Sequence, residues 1–101
     1  MLNLKDLQKR VLDNKVKKGF NTTDVNLEFC LIHEEVSEAF RAYHTKLPDL
    51  GEELADVAIY LLGLAEILGI NLEEEILKKI EKNDLREYKK INGILTKTKD
   101  I

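Results

Sequence analysis

Tryptophan is absent from this 101-residue chain, and cysteine, proline and methionine occur once each. A lone cysteine, Cys30, excludes an intramolecular disulfide framework and suits a reducing cytosol. One proline, Pro48, and five glycines leave little material for the many turns of an all-β fold. Long apolar runs are missing too. The stretch poorest in charge, residues 54–68, is too short to cross a bilayer comfortably, and no signal-peptide pattern opens the chain. The expectation is therefore a cytoplasmic protein with no membrane partner. An excess of positive charge is also lacking, at a net charge of −3, so a nucleic-acid polymer is not expected as a partner.

What is present is a highly charged folded chain, 44% hydrophobic and 35% charged. Its length fits one domain, and a chain this short gains from self-association because it buries a modest fraction of its surface. The charge is unevenly spread. Residues 1–23 carry six Lys or Arg against two Asp, whereas residues 24–68 carry ten acids against Arg41 and Lys46. An acidic middle flanked by bases fits a cation site in the centre, with anion-binding groups brought in from elsewhere.

Hydrophobic periodicity predicts four helices. The first spans about 3–18, with Leu4, Leu7, Val11, Leu12 and Val16 as its apolar stripe and Gly19 as its stop. The second, about 24–43, has Thr22, Thr23 or Asp24 available as N-cap. The third, about 49–68, is apolar nearly all round, as expected of a central helix, and Gly69 closes it. The fourth starts at Asn71, where Glu74 three residues later makes a capping-box-like signal, and runs to about 83. It is expected to turn Leu72, Ile76, Leu77 and Ile80 inward. The fold class is all-α, a four-helix bundle-like domain over residues 1–90. A tail, 91–101, carries an Asn92-Gly93 turn signal and no clear period.

Four carboxylates stand out against this frame. Glu35 and Glu38 are three residues apart, and Glu53 and Asp56 repeat that spacing. Residues three apart share a helix face. Helical phasing puts Glu35 inside the apolar arc of the second helix and Glu38 at its edge, with Glu28 two turns before. The short link at 44–49 makes helices two and three an antiparallel hairpin. The midpoints of the two acidic pairs average to a point between Thr45 and Lys46, inside that link, so both pairs reach the same level. Simple core packing does not require that register. Oxygen-only ligands suit Mg²⁺, or Mn²⁺, and no Cys/His cluster is present to recruit zinc. On the fourth helix, Lys79, Asn83 and Arg86 form a stripe of the groups that grip phosphate oxygens. His33 and His44 fall on the polar face, and Cys30 is expected to be a small core residue.

The succession Glu34-Glu35-x-x-Glu38, Glu53-x-x-Asp56 and Lys79-x-x-x-Asn83-x-x-Arg86-x-Tyr88 resembles the all-α nucleoside triphosphate pyrophosphohydrolases of the MazG type. The likeness covers about residues 28–88 and includes the wording Glu53-Leu54-Ala55-Asp56-Val57-Ala58-Ile59-Tyr60. It implies Mg²⁺-dependent cleavage of a (d)NTP to a (d)NMP and pyrophosphate, by homodimers or homotetramers whose sites use helices of neighbouring subunits. By position, Glu35, Glu38, Glu53 and Asp56 would hold the metal. Glu34 would support them or position the attacking water. Tyr60, Lys79, Asn83 and Arg86 would contact the nucleotide, and Asn14 and Phe20 are candidates for the base pocket. The chain departs from the family pattern at Ser37 and Ala55, where glycine is common, and in lacking the tryptophan of an aromatic base clamp. Phe20 or Tyr60 would have to serve instead. The resemblance leaves two rivals: a relative acting on phosphoribosyl-ATP or dUTP, which a substrate panel separates, and a non-catalytic helical interaction module. The second would not respond to Mg²⁺ or nucleotide.

Overall fold

The computed structural model describes residues 2–99. It contains α1 (Leu4–Lys18), α2 (Val25–His44), α3 (Leu50–Ile67) and α4 (Leu72–Leu85), followed by β1 (Glu87–Ile91) and β2 (Ile94–Lys99). The all-α class is as expected, and the helix bounds agree with the periodicity to within two residues.

Local chemistry sets those bounds. Asn3, Asp24 and Asn71 each cap a helix, accepting from the backbone N–H of Asp6, Leu27 and Glu74 respectively. Three helices end in the same left-handed closure. Past α1, Phe20 N–H donates to Lys15 O and Gly19 N–H to Val16 O; past α3, Ile70 donates to Ala65 O and Gly69 to Glu66 O. Gly19 and Gly69 take φ of 76° and 69°, which glycine adopts without steric cost. Past α2 the same pattern joins Leu47 N–H to Ala42 O and Lys46 N–H to Tyr43 O. There a lysine occupies the left-handed position, at φ 57°.

α2 and α3 form the expected antiparallel hairpin, and α1 packs along α3. The buried apolar side chains sit where these helices meet: Ala39 and Ala42 on α2, Leu62, Leu64 and Ala65 on α3. Gly63 lies at the crossing with α1, where a Cβ would stand 3.1 Å from Val11 Cγ1. α1 is also tied to the turn after α3 by Gln8, which is 1% exposed. Its amide donates to Ile70 O (2.8 Å) and Glu66 Oε1 (3.3 Å), and its carbonyl accepts from Leu72 N–H (2.9 Å). Leu4 N–H donates to Glu73 Oε1 beside it. These bonds set the direction in which α4 leaves the body.

Four expectations need correction. α4 does not turn Ile76, Leu77 and Ile80 inward: all three are exposed and none of its residues is buried. The helix packs sparingly on α1, and among the described residues its apolar stripe stays largely exposed. Val16, assigned to the stripe of α1, and Cys30, assigned to the core, are likewise exposed. The predicted tail is mostly a β-hairpin. Its Asn92 and Gly93 both have positive φ, 52° and 79°, as a type I′ turn requires, and Ile91 pairs with Ile94. The hairpin begins at Glu87, and Asp100 and Ile101 lie outside the described residues.

Candidate metal centre and adjoining cleft

The hairpin of α2 and α3 brings the acidic pairs together. Carboxylate oxygens of Glu35, Glu38 and Glu53 lie within 4.8 Å of one another. Mg²⁺ holds oxygens at about 2.0–2.1 Å, so opposed ligands stand about 4.2 Å apart, within a small side-chain rotation of this triplet. Asp56, one turn beyond Glu53, lies outside the triplet but close enough to act on it electrostatically.

The charge is poorly neutralised. Burial, then the nearby charges of Glu38 and Asp56, push the Glu35 carboxyl above its ordinary range. Burial, then Asp49 and Glu38, do the same to Glu53. Glu35 Oε2, Glu53 Oε2 and Asp49 Oδ1 are buried and meet no hydrogen-bond donor. Buried polar atoms are ordinarily paired, and an orphaned carboxylate oxygen costs its full desolvation. Inward, unsatisfied, mutually repelling oxygens on two helices are what a divalent cation would complete, so the residues present fit such an ion. Sequence reasoning missed Asp49. Its signal was the i, i+4 spacing to Glu53, obscured because Asp49 reads equally well as a helix cap; it sits at the N-cap of α3 but makes no capping hydrogen bond.

Glu34 is exposed next to the triplet on α2. Tyr60 lies one turn past Asp56 on α3, and burial, then the charges of Glu35 and Glu28, raise its phenol above the usual value. Tyr60 also lines a cleft of about 600 Å³ between α1 and α3. Asn14, Phe20, Ile59 and Leu62 line it with Tyr60, and Arg10 and Lys15 bring two cations to its wall. The two base-pocket candidates, Asn14 and Phe20, thus share one concavity with Tyr60.

A second group had only half a signal in the sequence. Glu28, already placed in the apolar arc, is fully buried, and its Oε1 pairs with the Lys15 ammonium from α1. Its Oε2 accepts from Asn21 Nδ2 at 3.1 Å. Lys15 Nζ stands 5.0 Å from the centre of the Tyr60 ring. The partner of Glu28 depends on how α1 docks, which no local pattern reveals.

Lys79, Asn83 and Arg86 stay on one side of α4 and its end, with Arg86 Nη1 donating to Asn83 Oδ1 at 3.1 Å. α4 packs chiefly on α1, whereas the carboxylates lie on the α2–α3 hairpin. His33 and His44 are exposed, His44 stacking on Phe40 at 5.8 Å between ring centroids.

Comparison with curated proteins and with solved structures yields no match. Residues 25–101 match the MazG-like family, whose activity is of the nucleotide pyrophosphohydrolase type. The match takes in both acidic pairs, the stripe on α4 and the hairpin, and with most of the chain covered, this protein belongs to the MazG-like family.

Proposed function

We propose that this chain is a divalent-metal-dependent nucleotide pyrophosphohydrolase that converts a (d)NTP to the (d)NMP and pyrophosphate. The observation that carries the reading is the level, inward convergence of Glu35, Glu38 and Glu53, with Asp56 beside them and buried oxygens left without donors. Glu35, Glu38, Glu53 and Asp56 would hold Mg²⁺, or Mn²⁺. Such an ion neutralises phosphate charge, polarises the scissile phosphoryl group and lowers the pKa of a bound water.

The residues divide the remaining work. Attack by water forms a new P–O bond at the α-phosphorus while the bond to the α–β bridging oxygen breaks, and pyrophosphate departs. The water proton passes to Glu34 or to one of the ligand carboxylates. The cleft beyond Tyr60 takes the nucleoside, with Phe20 and Tyr60 offering aromatic faces and Asn14 an amide. Lys79, Asn83 and Arg86 stabilise the phosphate charge, donated from a second copy of the chain.

Assembly follows from the same reading. The radius of gyration is 17.2 Å, against about 13 Å for a compact domain of this length. The chain exposes 7969 Å², whereas a compact monomer of 11.6 kDa would expose about 5,800 Å². An excess of roughly 2,000 Å² is on the scale of a permanent interface. Phe40 and Tyr43 on α2, 65% and 67% exposed, border an apolar groove against Leu50 and Leu54 of α3. A homodimer or homotetramer would cover this groove and the stripe of α4.

The test is pyrophosphate release from a panel of nucleoside triphosphates. Activity should require a divalent ion and fall by about 10²-fold or more on Asp56→Asn, the scale of losing one group of an electrostatic site. A panel with no release, and a melting temperature indifferent to Mg²⁺, would remove the enzyme reading.

A further inference from the structure

We propose that Lys15 is a positioning residue for Tyr60, and that the buried Lys15–Glu28 pair holds this ring as the wall shared by the carboxylate cluster and the cleft. Burial makes the pair unusual. Lys15 is 7% exposed and Glu28 0%, and a charged pair taken out of water on two different helices is seldom a net source of stability. A pair of apolar residues would fill the space at no such cost, so its charge and direction call for a use.

Three contacts give that direction. Glu28 is oriented from behind: Asn21 Nδ2 donates to its Oε2 and also to Asp24 O, at the N-cap of α2. Its other oxygen takes the Lys15 ammonium. The same ammonium stands over the face of Tyr60, at a distance where a cation is attracted to the ring. Gly63, one turn after Tyr60, lies beside the lysine stem, and a Cβ there would stand in ordinary contact with Lys15 Cδ at 3.5 Å. The chain Asn21–Glu28–Lys15–Tyr60 therefore crosses from α2 through α1 to α3.

Tyr60 is where the two halves of the site meet, feeling the charges of Glu35 and Asp56 while lining the cleft. A ring clamped by Lys15 presents one surface to a bound nucleoside, and binding then loses less ordering freedom. This consequence rests on the nucleotide reading above; the clamp itself does not. The pair is expected to act on nucleoside binding rather than on the phosphoryl step.

The first experiment replaces both charges, Lys15→Met with Glu28→Leu, so that no lone charge is left buried. KM for the best triphosphate should rise about 10-fold with kcat within about twofold, the mark of lost ground-state binding. Lys15→Arg, which retains both the ion pair and the ring contact, should stay near the parent. Unchanged KM in a folded double variant would overturn the proposal and leave the pair a packing feature.

The second experiment needs neither turnover nor that variant. The chain has no tryptophan and three tyrosines, so with Tyr43→Phe and Tyr88→Phe its tyrosine emission comes from Tyr60 alone. Lys15→Gln in that background, whose amide can still donate to Glu28 but puts no cation on the ring, should change the emission, and identical emission from the folded variant would refute the clamp. Lys15-dependent emission in a chain that hydrolyses no nucleotide would retain the clamp while sinking the enzymatic reading.

Discussion

Glu35 and Glu53 carry the electrostatic strain of the molecule. Both carboxyls titrate above the ordinary 4.5 through burial and neighbouring acids. A raised carboxyl pKa means the folded state binds more protons than the unfolded state within that window. Its favourable contribution is present below 4.5 and is lost as pH rises through the folded-state values. Metal-free protein should therefore lose stability from these groups as pH rises across the window. A divalent ion reverses the sense, because its ligands must be deprotonated. Melting with and without Mg²⁺ should show an increment that grows with pH, toward about 2.7 kcal/mol at a hundredfold excess over Kd. Glu35→Gln should flatten both trends. An increment independent of pH would mean Mg²⁺ binds elsewhere.

At the scale of elements, three helices close with the same hydrogen bonds, and one of them does so with the wrong residue. Lys46 holds a left-handed φ that costs an L-residue about 1–2 kcal/mol relative to glycine. Lys46→Gly should raise stability by about 1 kcal/mol in urea unfolding, since the gain is offset in part by the freer unfolded chain. Gln8 makes the converse case. Replacing it by leucine leaves Ile70 O and Leu72 N–H without partners at the α3–α4 turn. A loss of about 2–3 kcal/mol is expected, read by the same unfolding curves. A loss below half a kcal/mol would show that the turn holds its shape without the clamp.

Much of this was legible in the residues. Caps at Asn71 and Asp24, stops at Gly19 and Gly69 and the helical periods are local signals, so the helices could be read one at a time. The acids could be placed because a short link converts residue number directly into height along a hairpin. The unread parts are those that depend on docking. Lys15 meets Glu28, and Gln8 meets Leu72, only once α1 has settled at a particular angle on α3. Amphipathicity shows that α4 has an apolar face, not which molecule covers it. The hairpin escaped because lysines and apolar residues occupy both of its faces: Ile91 opposes Ile94, yet Lys90 opposes Leu95 and Tyr88 opposes Lys97. No clean alternation survives there.

At the scale of the whole molecule, the carboxylates and the stripe of phosphate-gripping groups lie on different parts of the chain. The carboxylates and the cleft belong to the body formed by α1, α2 and α3, while Lys79, Asn83 and Arg86 ride on a helix that leaves it. If a second copy supplies that stripe, inactive Asp56→Asn and Lys79→Ala subunits should complement when mixed. With random pairing into dimers, half of the pairs are mixed and one of their two sites is intact, so about a quarter of parental activity should return. No recovery in a mixture that does exchange subunits would place each site within one chain.

The central claim is that the convergent acids serve cleavage between the α- and β-phosphates, and the identity of the products tests it most directly. Phosphorus NMR of a nucleoside triphosphate incubated with the protein and Mg²⁺ should show monophosphate and pyrophosphate appearing together in equal amounts, with neither formed in excess chelator or by Glu53→Gln. Release of inorganic phosphate with a nucleoside diphosphate, or turnover that survives both controls, would contradict it.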